Sequence, residues 1–114
     1  MESIFVTASD HEGMVCKAVK LPVSSDSDYR KVVSLLGAKH ARIVGFIDDK
    51  HCIWSGNTDL GNRRPVFAIG SEQLSVNGPL LVTGYDQEED RVMPVSITGS
   101  EIEAKGIEYS HMVA

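Results

Sequence analysis

Two cysteines, Cys16 and Cys52, in a chain of 114 residues are too few for a disulfide framework. Each sits inside an apolar, strand-like run, and a reducing cytosol keeps such residues as thiols, so both are expected as small core side chains. Apolar runs of the roughly 20 residues that span a bilayer are also missing. Met1-Glu2-Ser3-Ile4-Phe5-Val6 lacks the basic start and long apolar core of a signal peptide, so the cytoplasm is the expected location and no membrane partner is expected. Positive charge is scarce: 11 lysines and arginines face 16 aspartates and glutamates, for a formal net charge of −5 with no basic stripe. Direct nucleic-acid binding, which needs several phosphate-neutralising cations on one face, is therefore not expected.

Signatures of chemistry are missing as well. No serine stands in a Gly-x-Ser-x-Gly elbow. Asp48, Asp49, His51 and Cys52 are close in sequence, yet on a strand His51 and Cys52 point to opposite faces and cannot share one metal. Neither Cys-x-x-Cys nor His-x₃-His spacing occurs to rescue such a site. Glu88, Glu89 and Asp90 resemble a solvated turn more than an acid–base pair. The expectation is a protein that is not an enzyme, with no catalytic residue, no metal and no cofactor.

What is present reads mainly as hairpins. Ile4 to Ala8 and Met14 to Leu21 are β-prone runs around the turn cluster Ser9-Asp10-His11-Glu12-Gly13, which predicts an antiparallel hairpin with a five-residue loop. Tyr29, Val32, Val33 and Leu36 fall at i, i+3, i+4 and i+7, one face of a helix over about 27 to 36. Ser25 with Asp28 suggests its capping box, Asp26 and Asp28 suit the positive end of its dipole, and Gly37 its stop. Ala41 to Ile47, the turn Asp48-Asp49-Lys50 and His51 to Ser55 predict a second hairpin. Val66 to Gly70 is short and apolar, a strand or a helical turn, and Ser71 to Gly78 reads as mostly loop. Pro79 to Tyr85 predicts a central strand. Beyond the acidic tip Asp86 to Asp90, Arg91 to Ile97 is expected to return beside it. Thr98 with Glu101 is a second capping-box pattern, predicting a short helix over 99 to 105. Gly106 to Ala114 has too little periodicity to assign.

This order of elements predicts one α+β domain over residues 1–114: a mostly antiparallel sheet built from hairpins, one main helix packed on one face, and a short C-terminal helix. Short β-rich chains often bury sheet edges against copies of themselves, so a homo-oligomer is expected.

A helix ending in Leu36-Gly37 is followed by a β-run into the acidic turn Phe46-Ile47-Asp48-Asp49-Lys50, and Asn62-Arg63 lies beyond it. A Gly-anchored apolar strand (Gly78 to Gly84) and Ser96-Ile97-Thr98 leading into a short helix complete the pattern. Over roughly residues 26 to 105 this resembles a family of small phage and mobile-element proteins. The resemblance implies a phage-type accessory protein that blunts host defences, and it implies no reaction.

The stretch Gly56 to Pro65 concentrates the remaining candidates. Gly56 and Gly61 have the separation of a Walker-type loop, but Asn62-Arg63 replaces Lys-Ser and Pro65 follows, so the loop is not one. Trp54, Asn57, Thr58, Asn62, Arg63 and Arg64 nonetheless supply an aromatic face, amides and guanidinium forks, the groups a nucleotide-like ligand needs. Arg42, Tyr85 and Arg91 are further groups for the same region. Alternatively, Trp54 packs in the core, the asparagines serve turns and the arginines pair with surface acids. Two functions are expected: sequestration of a small anionic, nucleotide-like signal of host immunity, or inhibition of a host nuclease or other nucleic-acid-binding defence protein by the acidic surface of Asp48, Asp49 and Asp86 to Asp90.

Overall fold

The computed structural model describes residues 2–21, 27–56, 64–70, 74–104 and 106–113, with backbone alone at 64, 74 and 113. Strands β1 (Glu2–Ser9) and β2 (Gly13–Lys20) form the first hairpin, in register from Glu2↔Lys20 to Ser9↔Gly13. Its ladder runs further than predicted and leaves a loop of three residues, Asp10 to Glu12, instead of five. Ser9 Oγ accepts the Glu12 N–H at 3.1 Å and stands in for the missing ladder bond.

Helix α1 (Asp28–Leu36) starts later than the capping pattern suggested. Its N-cap is Ser27, whose Oγ accepts the Arg30 N–H at 3.3 Å, while Ser25 and Asp26 lie outside the described residues. Asp28 serves the sheet as well as the helix end, because its carboxylate accepts the Val92 N–H at 3.1 Å. Gly37 closes the helix in the left-handed region at φ 64°; its N–H donates to Ser34 O and that of Ala38 to Val33 O, each at 3.2 Å. This is the double closure that a glycine at that place permits. Of the predicted apolar face, Val32 and Leu36 are buried, whereas Tyr29 stays 43% exposed and accepts the Ala41 N–H on its hydroxyl.

The chain continues through β3 (Ala41–Asp48), β4 (His51–Gly56), β5 (Arg64–Ile69), β6 (Leu74–Asn77), β7 (Leu80–Asp86), β8 (Arg91–Met93), α2 (Gly99–Ala104) and β9 (Ile107–Val113). Every strand pairing described is antiparallel. The large sheet has the order β2-β1-β7-β4-β3, with β8 beside the outer part of β7, and a second sheet has the order β6-β5-β9. Val66 to Ile69 thus resolves as strand, with Gly70 in the turn after it, and Leu80 to Tyr85 holds the predicted central place. Return strand β8 stops at Met93 instead of reaching Ile97, because Pro94 has no N–H to continue the ladder. The Val95 N–H instead reaches Glu2 O at 2.9 Å.

Alternation along β7 separates two cores. Leu80 and Val82 join Ile4, Val6, Ile53, Phe67, Val76, Ile102 and Ile107. Leu81 points the other way and joins Val32, Leu36, Cys52, Trp54 and Val92. Helix α1 therefore covers one face of the large sheet, as predicted, while the second sheet and α2 cover the other. Two strands of that third layer come from residues read as mostly loop (Leu74 to Asn77) or left unassigned (Ile107 to Val113). Thr98 caps α2 as expected: Thr98 Oγ1 accepts the Glu101 N–H and Glu101 Oε1 accepts the Thr98 N–H, both at 3.3 Å. Residue 105, its predicted end, lies outside the described residues. No described helix is long and apolar enough to cross a membrane.

Candidate functional site

Of the predicted ligand-binding set, Asn57, Thr58, Asn62 and Arg63 lie outside the described residues, as does the Arg64 side chain. Trp54 is described, and it is a core residue. Its ring is 7% exposed among Val32, Leu36 and Leu81, and its Nε1–H donates to Thr83 Oγ1 at 3.1 Å. Here it offers no open face for a base to stack on. Arg42 sits opposite Ser55 and, with His40, Gly56 and Asn77, lines a cleft of about 320 Å³. Ser55 Oγ donates to Asn77 O at 2.8 Å and ties β4 to β6 at this cleft. Tyr85 and Arg91 are at the opposite end of the central strands, paired with Val92 and Asp86, so they do not join Arg42.

That opposite end brings together residues far apart in the sequence. The β3–β4 turn, Asp49-Lys50, lies against the β7–β8 tip: the Tyr85 N–H donates to Lys50 O at 2.8 Å and Gln87 Nε2 to Asp49 O at 3.2 Å. Asp86 Oδ1 accepts the Glu88 N–H at 3.0 Å and the Glu89 N–H at 3.2 Å, which fixes the tip. Asp48, Asp49, Asp86, Glu88, Glu89 and Asp90 thus share one end with only Lys50 and Arg91 as cations in the same turns. Among the described residues no ion pair reaches Asp49, Asp86, Glu88, Glu89 or Asp90. Phe46 on one face (46% exposed) and Met93 on the other (41% exposed) flank the acids, and the Phe46 ring lies 6.1 Å from that of Tyr85.

A cleft of about 610 Å³ opens between the two tips, and Tyr85, Met93 and Pro94 form part of its wall. His51 and Ser96 also line it. Because Asp48 and His51 close the hairpin as directly opposed partners, their side chains share one face of the sheet. The imidazole is buried, 3% exposed, with Nδ1 at 2.9 and 3.2 Å from the two Asp48 carboxylate oxygens. Its Nε2 accepts the Ser96 N–H at 3.1 Å and lies 3.1 Å from Ser96 Oγ. A backbone N–H can only donate, so Nε2 carries the lone pair and Nδ1 the proton directed at Asp48. Ser96 reaches this place because the chain crosses directly over Gly84, the β7 partner of His51. A Cβ at Gly84 would run into the carbonyl oxygen of Pro94.

His51 and Cys52 do face opposite ways, as strand geometry required. Cys52 is fully buried on the helix side with Sγ 3.4 Å from Thr83 Oγ1, and burial pushes its thiol above the ordinary value. Burial, and then the charge of Glu103, does the same to Cys16. Among the described residues no group of three or more His, Cys, Asp and Glu side chains is placed to hold a metal ion. As a chemical pair, Asp48 and His51 were considered in the sequence only as part of a failed metal site. The real signal was their spacing across a two-residue turn, which makes them cross-strand partners. Ser96, 45 residues further on, had no local signal.

No protein-family model matches the chain, and neither the curated proteins nor the solved structures give a match. Its class rests on its own geometry: an α+β protein with a sheet covered on both faces and a hydrogen-bonded acidic end that holds an Asp–His–Ser array.

Proposed function

We infer that this chain is a protein-binding module whose acidic end docks on the cationic surface of a nucleic-acid-binding enzyme, a nuclease being the case it fits best. The convergence of the two hairpin tips carries the reading, since it places six carboxylates at one end and fixes the tips by hydrogen bonds. An enzyme that grips phosphates presents lysines and arginines along a groove, and spaced carboxylates complement it as the nucleic acid does. Phe46, Tyr85 and Met93 supply apolar contact beside the charges, the kind of anchor that holds an interface once charge has steered it together. On this reading the chain is an anti-defence accessory protein of the sort its resemblance to phage proteins implies. Self-association belongs to the same reading. Lys17 and Lys20 guard end strand β2, and end strand β3 of the same sheet is the edge this reading gives to a second copy. Sedimentation that shows a monomer at every concentration removes that part.

The test is titration against purified basic nucleases with the wild type and with Glu88→Lys/Glu89→Lys/Asp90→Lys. Wild-type affinity is expected to fall about tenfold or more between 50 and 300 mM salt, nucleic acid is expected to compete, and the triple variant should not bind. Binding that survives charge reversal, or that nucleic acid leaves untouched, overturns the reading.

The cleft of Arg42 and His40 favours a second reading, sequestration of a small anionic nucleotide-like ligand. It adjoins Gly56, from which the predicted loop departs. Calorimetry against cyclic dinucleotides and ADP-ribose derivatives tests it, and no heat at roughly 50 μM ligand removes it.

A further inference from the structure

We propose that Ser96 is a base-activated nucleophile that accepts acyl groups from activated esters, with His51 as its base and Asp48 as the residue that positions the histidine. This goes beyond the docking reading and does not depend on it. It also departs from the expectation of a chain without catalytic groups, which rested on the absence of a local sequence motif.

The three side chains meet the geometric requirement for nucleophilic activation: nucleophile on base, base on orienter, each at hydrogen-bond distance. Ser96 Oγ lies 3.1 Å from His51 Nε2, and Nδ1 of the same ring is 2.9 Å from Asp48 Oδ1. The Ser96 N–H donates to Nε2, which places the lone pair there; the hydroxyl shares that one lone pair, so the amide bond to Nε2 has to open as the ring takes the hydroxyl proton. Burial and hydrogen bonds at both nitrogens hold the ring, while Ser96 itself is exposed on the wall of the 610 Å³ cleft. Base and nucleophile therefore stand between a fixed interior and an open substrate space.

The step balances without a further reactant. As Ser96 Oγ bonds to the carbonyl carbon, its proton passes to His51 Nε2; the ester C–O bond then breaks and the leaving oxygen takes that proton. Water attacks the acyl-serine in the second half, giving one proton to Nε2, and that proton returns to Oγ as the acid leaves. Substrate class follows from the walls. Met93 and Pro94 suit an apolar acyl group, and Asp49, Asp86 and Glu88 on the rim disfavour an anionic leaving portion. The array also sets a limit. The Ser96 amide is held by His51, so it is not free to stabilise the oxyanion. Removing one such donor from an established site costs about 10²- to 10³-fold, so slow turnover of activated esters is expected here.

The experiment combines a neutral fluorophosphonate probe with p-nitrophenyl acetate and maps the modified peptide by mass. Ser96 should be labelled while the remaining serines act as internal controls. The p-nitrophenol burst should disappear in Ser96→Ala, which keeps the backbone N–H bond to His51. His51→Gln retains an acceptor for that N–H, so the fold should persist, and labelling should drop about 10²-fold or more. Asp48→Asn should change the pH profile of labelling, a readout that a purely structural Asp48 would not move. Glu89→Lys/Asp90→Lys, at two residues that do not line the cleft, should still be labelled even where nuclease affinity has fallen, so failure of docking and failure of this proposal can be told apart. Label spread over surface serines, no label at all, or equal rates in a folded His51→Gln protein overturns the proposal and leaves His51 as a clamp for the 94–98 segment.

Discussion

Thr83 shows how one polar atom in the middle of a sheet fixes what its neighbours are. It is fully buried, and its Oγ1 accepts from Trp54 Nε1 at 3.1 Å with Cys52 Sγ 3.4 Å away. A buried indole N–H without an acceptor pays its whole desolvation penalty, so the hydroxyl is what lets a tryptophan occupy this core. Thr83→Val keeps the shape and removes the acceptor. It is expected to cost about 1–3 kcal/mol, seen as a lower urea midpoint at an unchanged slope. A valine variant as stable as the parent would mean that the indole N–H has found another partner. At this scale the sequence left two roles open for Trp54, ligand face or core. What decides between them is Thr83, whose opposition to Cys52 next to Trp54 no local pattern announces.

At the scale of elements, legibility follows the range of the interactions that define each one. Helix α1 and the α2 capping box were readable because spacing and caps lie within a few residues of each other. Strand β6 was not. Its four residues show only one full alternation, and they are held by pairing with β5. Strand β9 pairs with β5 through a register shift between Val66 and Phe67, where the inward residues on the two strands fall out of step. The end of β8 depended on Pro94, a signal that was present and outweighed by the β-prone residues after it. Gly84 links this element to the candidate site, since it leaves room for Pro94 to cross β7. Gly84→Ala is expected to destabilise the fold by about 2 kcal/mol, in the range of overpacking into a close backbone approach. It should also lower probe labelling of Ser96 in the fraction that remains folded. Full stability together with full labelling would show that the 94–98 segment does not depend on this crossing.

For the molecule as a whole, the sequence reported how much negative charge there is but not where it lies. The formal charge of −5 is modest, yet hairpin pairing moves Asp48, Asp49, Asp86, Glu88, Glu89 and Asp90 to one end of the sheet. Stacking like charges there costs stability that a merely folded protein has no reason to accept, a cost that a docking surface explains. Salt makes the cost measurable. The Debye length falls from about 30 Å at 0.01 M to about 10 Å at 0.1 M, so repulsion between the tips is screened over that range. Wild-type stability to urea is therefore expected to rise by about 0.5 kcal/mol from 0.01 to 0.3 M sodium chloride and then level off. Glu88→Lys/Glu89→Lys/Asp90→Lys converts the repulsion to attraction. This variant should be at least as stable as the parent at low salt and should lose, not gain, stability as salt is added. If both proteins respond to salt alike, the acids at this end do not act on one another through the fold, and the strain assigned to the docking surface is absent.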